Sequence, residues 1–230
     1  MTLLEAIYDR HSVRSYIQEP LAAELIEKLN EFIGKKNEES GLHMQLVVGE
    51  PKAFRGFNSY GAFKGVENYI VLVGKKSADI GLAVGYYGEQ VVLYAQTLGL
   101  NTCWVGLTYS KVSDKFVVEK DEKVYGVISI GYGETQGHSH KIKRADQVSN
   151  VSDTTPSWFL DGVNAALLAP TAVNQQKFYF EYLGENASGK PVVRSKRNFS
   201  IVGYTKIDMG IARLHFEIGA GKDNFVWEKQ

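Results

Sequence analysis

Val73-Gly74 followed by Asp79-Ile80-Gly81-Leu82-Ala83 returns later as Val202-Gly203 followed by Asp208-Met209-Gly210-Ile211-Ala212, both pieces displaced by 129 residues. Each copy reads as an apolar strand leading into a helix opened by an aspartate, a residue favoured at helix N-termini. Further out, a helix–strand unit ending at Gly49-Glu50 returns as one ending at Gly184-Glu185, displaced by 135 residues. The six-residue difference is a shorter second loop between the strands. The order helix, strand, strand, Asp-capped helix therefore occurs twice. Two readings are open: chance similarity between two α+β segments, or two related halves packed about a pseudo-two-fold axis as in a symmetric dimer.

The remaining elements follow from periodicity and punctuation. Leu3 to Tyr8 reads as a short helix, and a second opens at Pro20 and keeps its period up to Gly34. Lys35 to Ser40 reads as a polar loop, Leu42 to Val48 and Tyr69 to Val73 as strands, and 52–65 as loop with a turn of helix. The helix from Asp79 to about Leu98 is apolar nearly all round, which places it at the centre of the molecule. Its glycines Gly81, Gly85 and Gly88 each cost about 1 kcal/mol in a helix interior, a cost that makes sense where another helix or a flat ligand comes close. Asn101 to Gly106 is a short strand and turn, and Val124 to Ile130 a strand closed by Gly131-Tyr132-Gly133. Ser149 to Pro156 is the candidate linker. After it come a helix from Ser157 to Leu168, a strand Phe178 to Leu183, a buried strand Asn198 to Val202, and a helix from Asp208 to about Ile218. The expected domains are residues 1–150 and 151–230.

Near the start lies Asp9-Arg10-His11-Ser12-Val13-Arg14-Ser15-Tyr16. In an extended segment alternate residues face one way, which would align Arg10, Ser12 and Arg14. Two guanidinium forks and a hydroxyl suit a phosphate or another anion; the same pattern also suits a solvated charged turn. The second half keeps no such stretch, but it carries Ala169-Pro170-Thr171-Ala172-Val173-Asn174-Gln175-Gln176 after its helix, where the first half has Lys35 to Glu39. One set of special residues is thus split across the halves.

Length and composition bound the rest. At 230 residues the chain can bury a proper core. With 26 basic and 26 acidic side chains it lacks the basic excess of a nucleic-acid or membrane-surface binder. Cys103 is the sole cysteine, so there is no disulfide framework or cysteine metal cluster, and in an apolar stretch it reads as a core thiol. His138 and His140 alternate in a polar loop without a third ligand nearby, so no metal site is expected. The sequence shows no signal-peptide-like run and no apolar span long enough for a bilayer, so a cytoplasmic location is expected.

These stretches resemble the nitroreductase family of flavin enzymes. Arg10-His11-Ser12-Val13-Arg14-Ser15-Tyr16 is similar to the family's R-[RH]-S-x-[RK]-x-[FY] opening, and Ala169 to Gln176 to its A-P-S-x-x-N-x-Q element, with Thr171 for Ser. Leu98-Gly99-Leu100-Asn101-Thr102-Cys103-Trp104-Val105-Gly106 matches L-G-L-x-x-C-W-[IV]-G, and Gly131-Tyr132-Gly133 with Lys141 and Lys143 matches a G-Y-[GP] turn and basic pair. In ordinary members the A-P-S element follows the arginine stretch and enters the site from a partner chain; here it occurs only after residue 168. That resembles a single-chain, double-domain branch.

The resemblance implies an α+β nitroreductase-like fold, two pseudo-symmetric halves with mostly antiparallel sheets packed through central helices like a fused dimer. It implies one FMN per chain, NAD(P)H as co-substrate, and a nitroaromatic, quinone or similar small acceptor; a flavin-binding protein without turnover is the alternative. By resemblance Arg10 and Ser12 bind the phosphate with Lys141 or Lys143, His11 is a cofactor neighbour or simply orients the turn, and Arg14 lies near the pyrimidine edge of the flavin, with Lys64 a second candidate there. The Val105-Gly106-Leu107 backbone faces the reactive nitrogen, while Pro170, Thr171 and Asn174 cross from the second half. No side-chain acid or base is implied. The expected partners are small molecules, with no nucleic acid and no membrane, and fusion makes a monomer the natural state.

Overall fold

The computed structural model describes residues 1–55, 62–112 and 114–229. Part of the glycine- and phenylalanine-rich 52–65 loop lies outside the described residues; Pro51–Phe54 within it form a single 3-10 turn. Five helices and seven strands are described: α1 (Leu3–Asp9), α2 (Ala23–Ser40), β1 (Gln45–Val47), β2 (Asn68–Lys75), α3 (Ile80–Thr97), β3 (Asn101–Val105), β4 (Glu122–Gly131), α4 (Ser157–Leu167), β5 (Phe178–Glu185), β6 (Pro191–Arg197), α5 (Thr205–Ala220) and β7 (Val226–Trp227).

Strands β1–β4 form one antiparallel sheet in the order β1-β2-β4-β3, and β5–β7 form a second in the order β5-β6-β7 with β6 and β7 parallel. Strand β2 is buried along its length until Lys75, as its unbroken apolar run requires. The unit α2–β1–β2–α3 and the unit α4–β5–β6–α5 follow the same order, each with an antiparallel strand pair.

The centre is the crossing of α3 and α5, and glycine makes it possible. A Cβ on Gly85 would sit 2.0 Å from the Ile207 carbonyl oxygen, and one on Gly210 would sit 2.2 Å from that of Leu82. A Cβ on Gly81 would meet Lys206 at 2.8 Å, and one on Gly88 the Trp104 ring at 2.6 Å. The expectation that these glycines mark a close approach is met by a helix at the first two positions and by an indole at Gly88.

Several expectations are corrected. Helix α2 begins after Ala22 rather than at Pro20, and runs through the segment read as a polar loop. Ion pairs Lys35–Glu31 (2.7 Å) and Lys36–Glu39 (2.8 Å) lie along that last stretch, and Gly41, at φ 70°, ends the helix instead of Gly34. The buried strand expected at Asn198–Val202 is absent: Phe199 and Ile201 are 84% and 91% exposed. The second strand of that unit is β6, a half-buried strand whose solvent-facing side gives it no continuous apolar run. Asp208 does not cap α5. It is the fourth residue of the helix, whose flanking residue is Tyr204 at φ 60°. The structural partners are Ile80 with Thr205 and Gly85 with Gly210, so the match of Asp79 with Asp208 is about one turn out of register. Asp79 does precede α3, but its carboxylate caps nothing and pairs with Lys206 at 3.2 Å.

Candidate functional site

The arginine stretch is extended and laid against the first sheet. Ser12 bridges Thr102 of β3, the Val13 N–H donates to the Thr102 carbonyl, and Tyr16 pairs with Gly133. Val13 is buried in the core, and the alternate side holding Ser12 and Arg14 faces outward. It faces a cavity of about 310 Å³. Val105, Gly106 and Leu107 at the end of β3 form one wall, Pro170 and Thr171 a second, and Ile207, Asp208 and Ile211 of α5 a third. The structure thus brings together seven of the sequence-predicted residues from both ends of the chain: Ser12, Arg14, Val105, Gly106, Leu107, Pro170 and Thr171.

The other predicted residues, Arg10, His11, Lys141, Lys143 and Asn174, do not line this cavity. Arg10 is only 6% exposed, and its Nη1 reaches the Leu168 carbonyl at 3.4 Å while its Nε has no partner. Among the described residues no carboxylate pairs with it. His11 also has an unpartnered buried atom, Nδ1. His140 faces the neighbouring Leu167 carbonyl at 3.0 Å, and burial, together with the charges of Arg10 and His11, holds its imidazole below the usual histidine range. Lys143 gives its ammonium to the carbonyls of Gln175 (3.2 Å) and Gln176 (2.7 Å), and Asn174 gives its amide to the Lys141 carbonyl at 2.8 Å. These bonds tie the 141–143 segment to the 174–176 turn. Lys64 pairs with Glu134 at 2.7 Å and does not line the cavity.

The 169–176 loop is strained. Val173, Asn174 and Gln176 all have positive φ (47°, 55° and 45°), a region that costs of order 1–3 kcal/mol per non-glycine residue and recurs at ligand clamps. Asp208 holds it: its carboxylate accepts from the Ala172 N–H (3.0 Å) and the Gln175 amide (2.6 Å). Burial pushes this carboxyl up to about 6 despite those bonds. A carboxyl raised above its unfolded value near 3.9 binds its proton more tightly in the folded state. Its contribution is therefore fully present below about pH 4 and is lost as pH rises through about 6, by up to about 3 kcal/mol. We expect the wild type to lose stability between these limits relative to Asp208→Asn when thermal unfolding is followed against pH; parallel curves would remove Asp208 from this role.

Several lining residues were not anticipated as such, among them Trp104, Tyr204, Ile207, Asp208 and Ile211. Asp208 was read as a cap, and Ile211 only as part of the repeated segment. Tyr204 carried no sequence signal; its hydroxyl donates to the Gly106 carbonyl at 3.2 Å, and a Cβ on Gly106 would lie 2.8 Å from its ring. Trp104 lines the cavity and donates its indole N–H to Glu89 at 2.7 Å. Cys103 is buried as expected, and burial pushes its thiol up.

Comparison with known proteins bears on the family and the fold. A family model described as "Putative TM nitroreductase" matches residues 2–220. No curated protein matches the chain. Among solved structures, a "putative nitroreductase" from Thermotoga maritima is 24% identical, with a TM-score of 0.66 over 95% of this chain and 83% of that one. A nitroreductase-like protein from Desulfovibrio desulfuricans, solved in complex with FMN, is 16% identical with a TM-score of 0.52, over 68% of this chain and 99% of the other. A third, from Exiguobacterium sibiricum and also in complex with FMN, is 16% identical with a TM-score of 0.51, over 64% and 95%. At these identities the likeness to solved structures is one of fold, and the family model spans nearly the whole chain: the protein belongs to the nitroreductase family.

Proposed function

We propose that the chain binds one FMN and uses it to carry hydride from NAD(P)H to a small nitroaromatic, quinone or similar acceptor. The observation that carries this reading is Arg10. A buried guanidinium with an open Nε and no carboxylate partner among the described residues is costly unless an anion completes it. It precedes Ser12 and Arg14, which line the cavity, in the same extended stretch, as a phosphate attached to a flat ring system requires. FMN has been seen in the fold relatives from Desulfovibrio desulfuricans and Exiguobacterium sibiricum.

In this reading Arg10 and Ser12 hold the phosphate end beside His11, with Lys141 or Lys143 closing over it. Arg14, exposed and without a hydrogen-bond partner for its guanidinium among the described residues, places a cation at the ring edge, where it favours the reduced state. The Gly106 backbone faces the ring, Pro170 and Thr171 form the far wall, and Asn174 supports it from behind through the Lys141 carbonyl. Bound there, FMN supplies the hydride chemistry, and the protein supplies placement and electrostatics. No protein acid or base takes part.

The same reading treats residues 1–150 and 151–230 as a fused pair acting as a monomer on small molecules in the cytoplasm. The repeated element order, the Gly85–Gly210 crossing, and the near-complete coverage of smaller FMN-bound relatives by two thirds of this chain support it. No described helix is long and apolar enough to cross a membrane.

Tyr204 favours one second reading, a flavin-binding protein without turnover, because its ring covers Gly106. One experiment separates the two. The purified protein is expected to be yellow and to bleach when NADH or NADPH is added anaerobically. Colour that persists selects the binder, and a colourless protein that takes up no added FMN overturns both. Arg10→Ala is expected to weaken FMN binding about tenfold or more, the worth of a charged hydrogen bond to phosphate; an unchanged affinity by fluorescence titration would move the phosphate elsewhere.

A further inference from the structure

The crossing glycines give a register between the two central helices, and that register relates two cavities. Pairing Gly85 with Gly210 also pairs Asp79, Leu82, Ala83 and Tyr86 of the α3 region with Tyr204, Ile207, Asp208 and Ile211 of the α5 region. The latter four line the candidate flavin cavity, and the former four line a separate cavity of about 320 Å³. The second cavity therefore stands where the pair's other site would be. It has no counterpart of the arginine stretch; Arg213, Glu217 and Tyr87 complete its wall instead.

Arg213 is the partly buried cation of this wall. Its guanidinium lies 4.2 Å from the centroid of the Trp227 ring, and none of its donors has a hydrogen-bond partner among the described residues. Burial holds it below its usual value. The other polar groups are already paired: Glu217 accepts from Trp227 Nε1 at 2.6 Å and from the Tyr86 hydroxyl at 2.5 Å, and Asp79 pairs with Lys206. The rings of Tyr86 and Tyr87 meet edge to face at 5.3 Å.

We propose that this second cavity is a binding site for a small aromatic monocarboxylate. A carboxylate offers two oxygens to the Arg213 fork. A ring fills the space between Leu82, Ala83 and the tyrosines, in a volume at the lower end of those that hold small ligands. A single charge is selected because the Glu217 and Asp79 carboxylates repel a dianion such as phosphate. The inference rests on the fused-pair reading and is independent of whether the first cavity turns over.

The test is calorimetric titration of the purified protein with benzoate. Saturable one-site binding is expected in the wild type. Arg213→Met is expected to weaken it about tenfold or more, and Arg213→Lys to weaken it less, since the charge remains and the fork is lost. Ala83→Phe, which fills the cavity without touching the cation, should abolish binding and serves if Arg213→Met does not fold. FMN affinity should be unchanged in every folded variant. Absence of saturable benzoate binding to the wild type would overturn the proposal. So would binding that survives Arg213→Met, or that FMN displaces, because the ligand would then lie in the first cavity. A protein that never takes up FMN yet binds benzoate through Arg213 would fail the flavin reading and leave this one standing.

Discussion

Glu89→Ala is expected to destabilise the protein by about 3–5 kcal/mol, whereas Glu89→Gln should cost about 1 kcal/mol. Glu89 on α3 and His215 on α5 are both fully buried, with Glu89 Oε1 2.8 Å from His215 Nε2. The other ring nitrogen, Nδ1, faces the Ala165 carbonyl at 3.2 Å. A carbonyl can only accept, so Nδ1 carries a proton. Nε2 then either donates to a carboxylate or accepts from a carboxylic acid. In both cases one proton lies between the two side chains and the pair has no net charge.

Alanine at position 89 would leave His215 and the Trp104 indole N–H facing an apolar hole. Glutamine can accept from Trp104 with its oxygen and donate to Nε2 with its amide, so every group keeps a partner. Thermal unfolding of the two variants reads the difference, which for a chain of this size amounts to about 2–4 °C per kcal/mol. Equal losses in both would mean that keeping a hydrogen-bond partner for each group is not what the position contributes. Because Trp104 forms part of the cavity wall, Glu89→Ala should also loosen ligand binding there, which links the helix interface to the site.

The parts of this structure that were legible in the sequence are those where a local pattern has one physical outcome. The continuous apolar run of β2 can only be buried, and the glycines of α3 can only mark a close approach. The arginine stretch alternates because it is extended, and Ser12 and Arg14 do face a common cavity. What was not legible depended on tertiary partners. The Asn198–Val202 segment has the composition of a strand and no neighbour to pair with. Strand β6 has the reverse: modest composition, and β5 and β7 on either side of it. Asp208 looked like its repeat-mate Asp79, but α5 starts a turn earlier, and this turns a surface cap into a buried clamp on the 169–176 loop. A repeat detected by residue identity gives the existence of a symmetry and not its register; here the register came from which glycines touch.

That register can be tested by the sign of two glycine substitutions. Gly210→Ala is expected to destabilise by about 3 kcal/mol or more, at the upper end of overpacking costs. The added Cβ would lie 2.2 Å from the Leu82 carbonyl oxygen, 2.7 Å from the Tyr86 nitrogen and 3.0 Å from the Gly85 Cα, all backbone atoms that no rotamer change can move. Only separation of α3 from α5 relieves the contact. Separation pulls Ile207, Asp208 and Ile211 away from the flavin-cavity wall opposite, and Leu82 and Tyr86 away from Arg213, so both cavities should lose affinity together. Gly34→Ala in α2 is the control of opposite sign. Nothing lies within 4 Å of a Cβ there, and replacing glycine in a helix interior gains about 1 kcal/mol. Denaturant unfolding of both variants measures the contrast. A Gly210→Ala protein as stable as wild type would mean that the helices do not meet at Gly85 and Gly210, and the relation between the two cavities would fall with them.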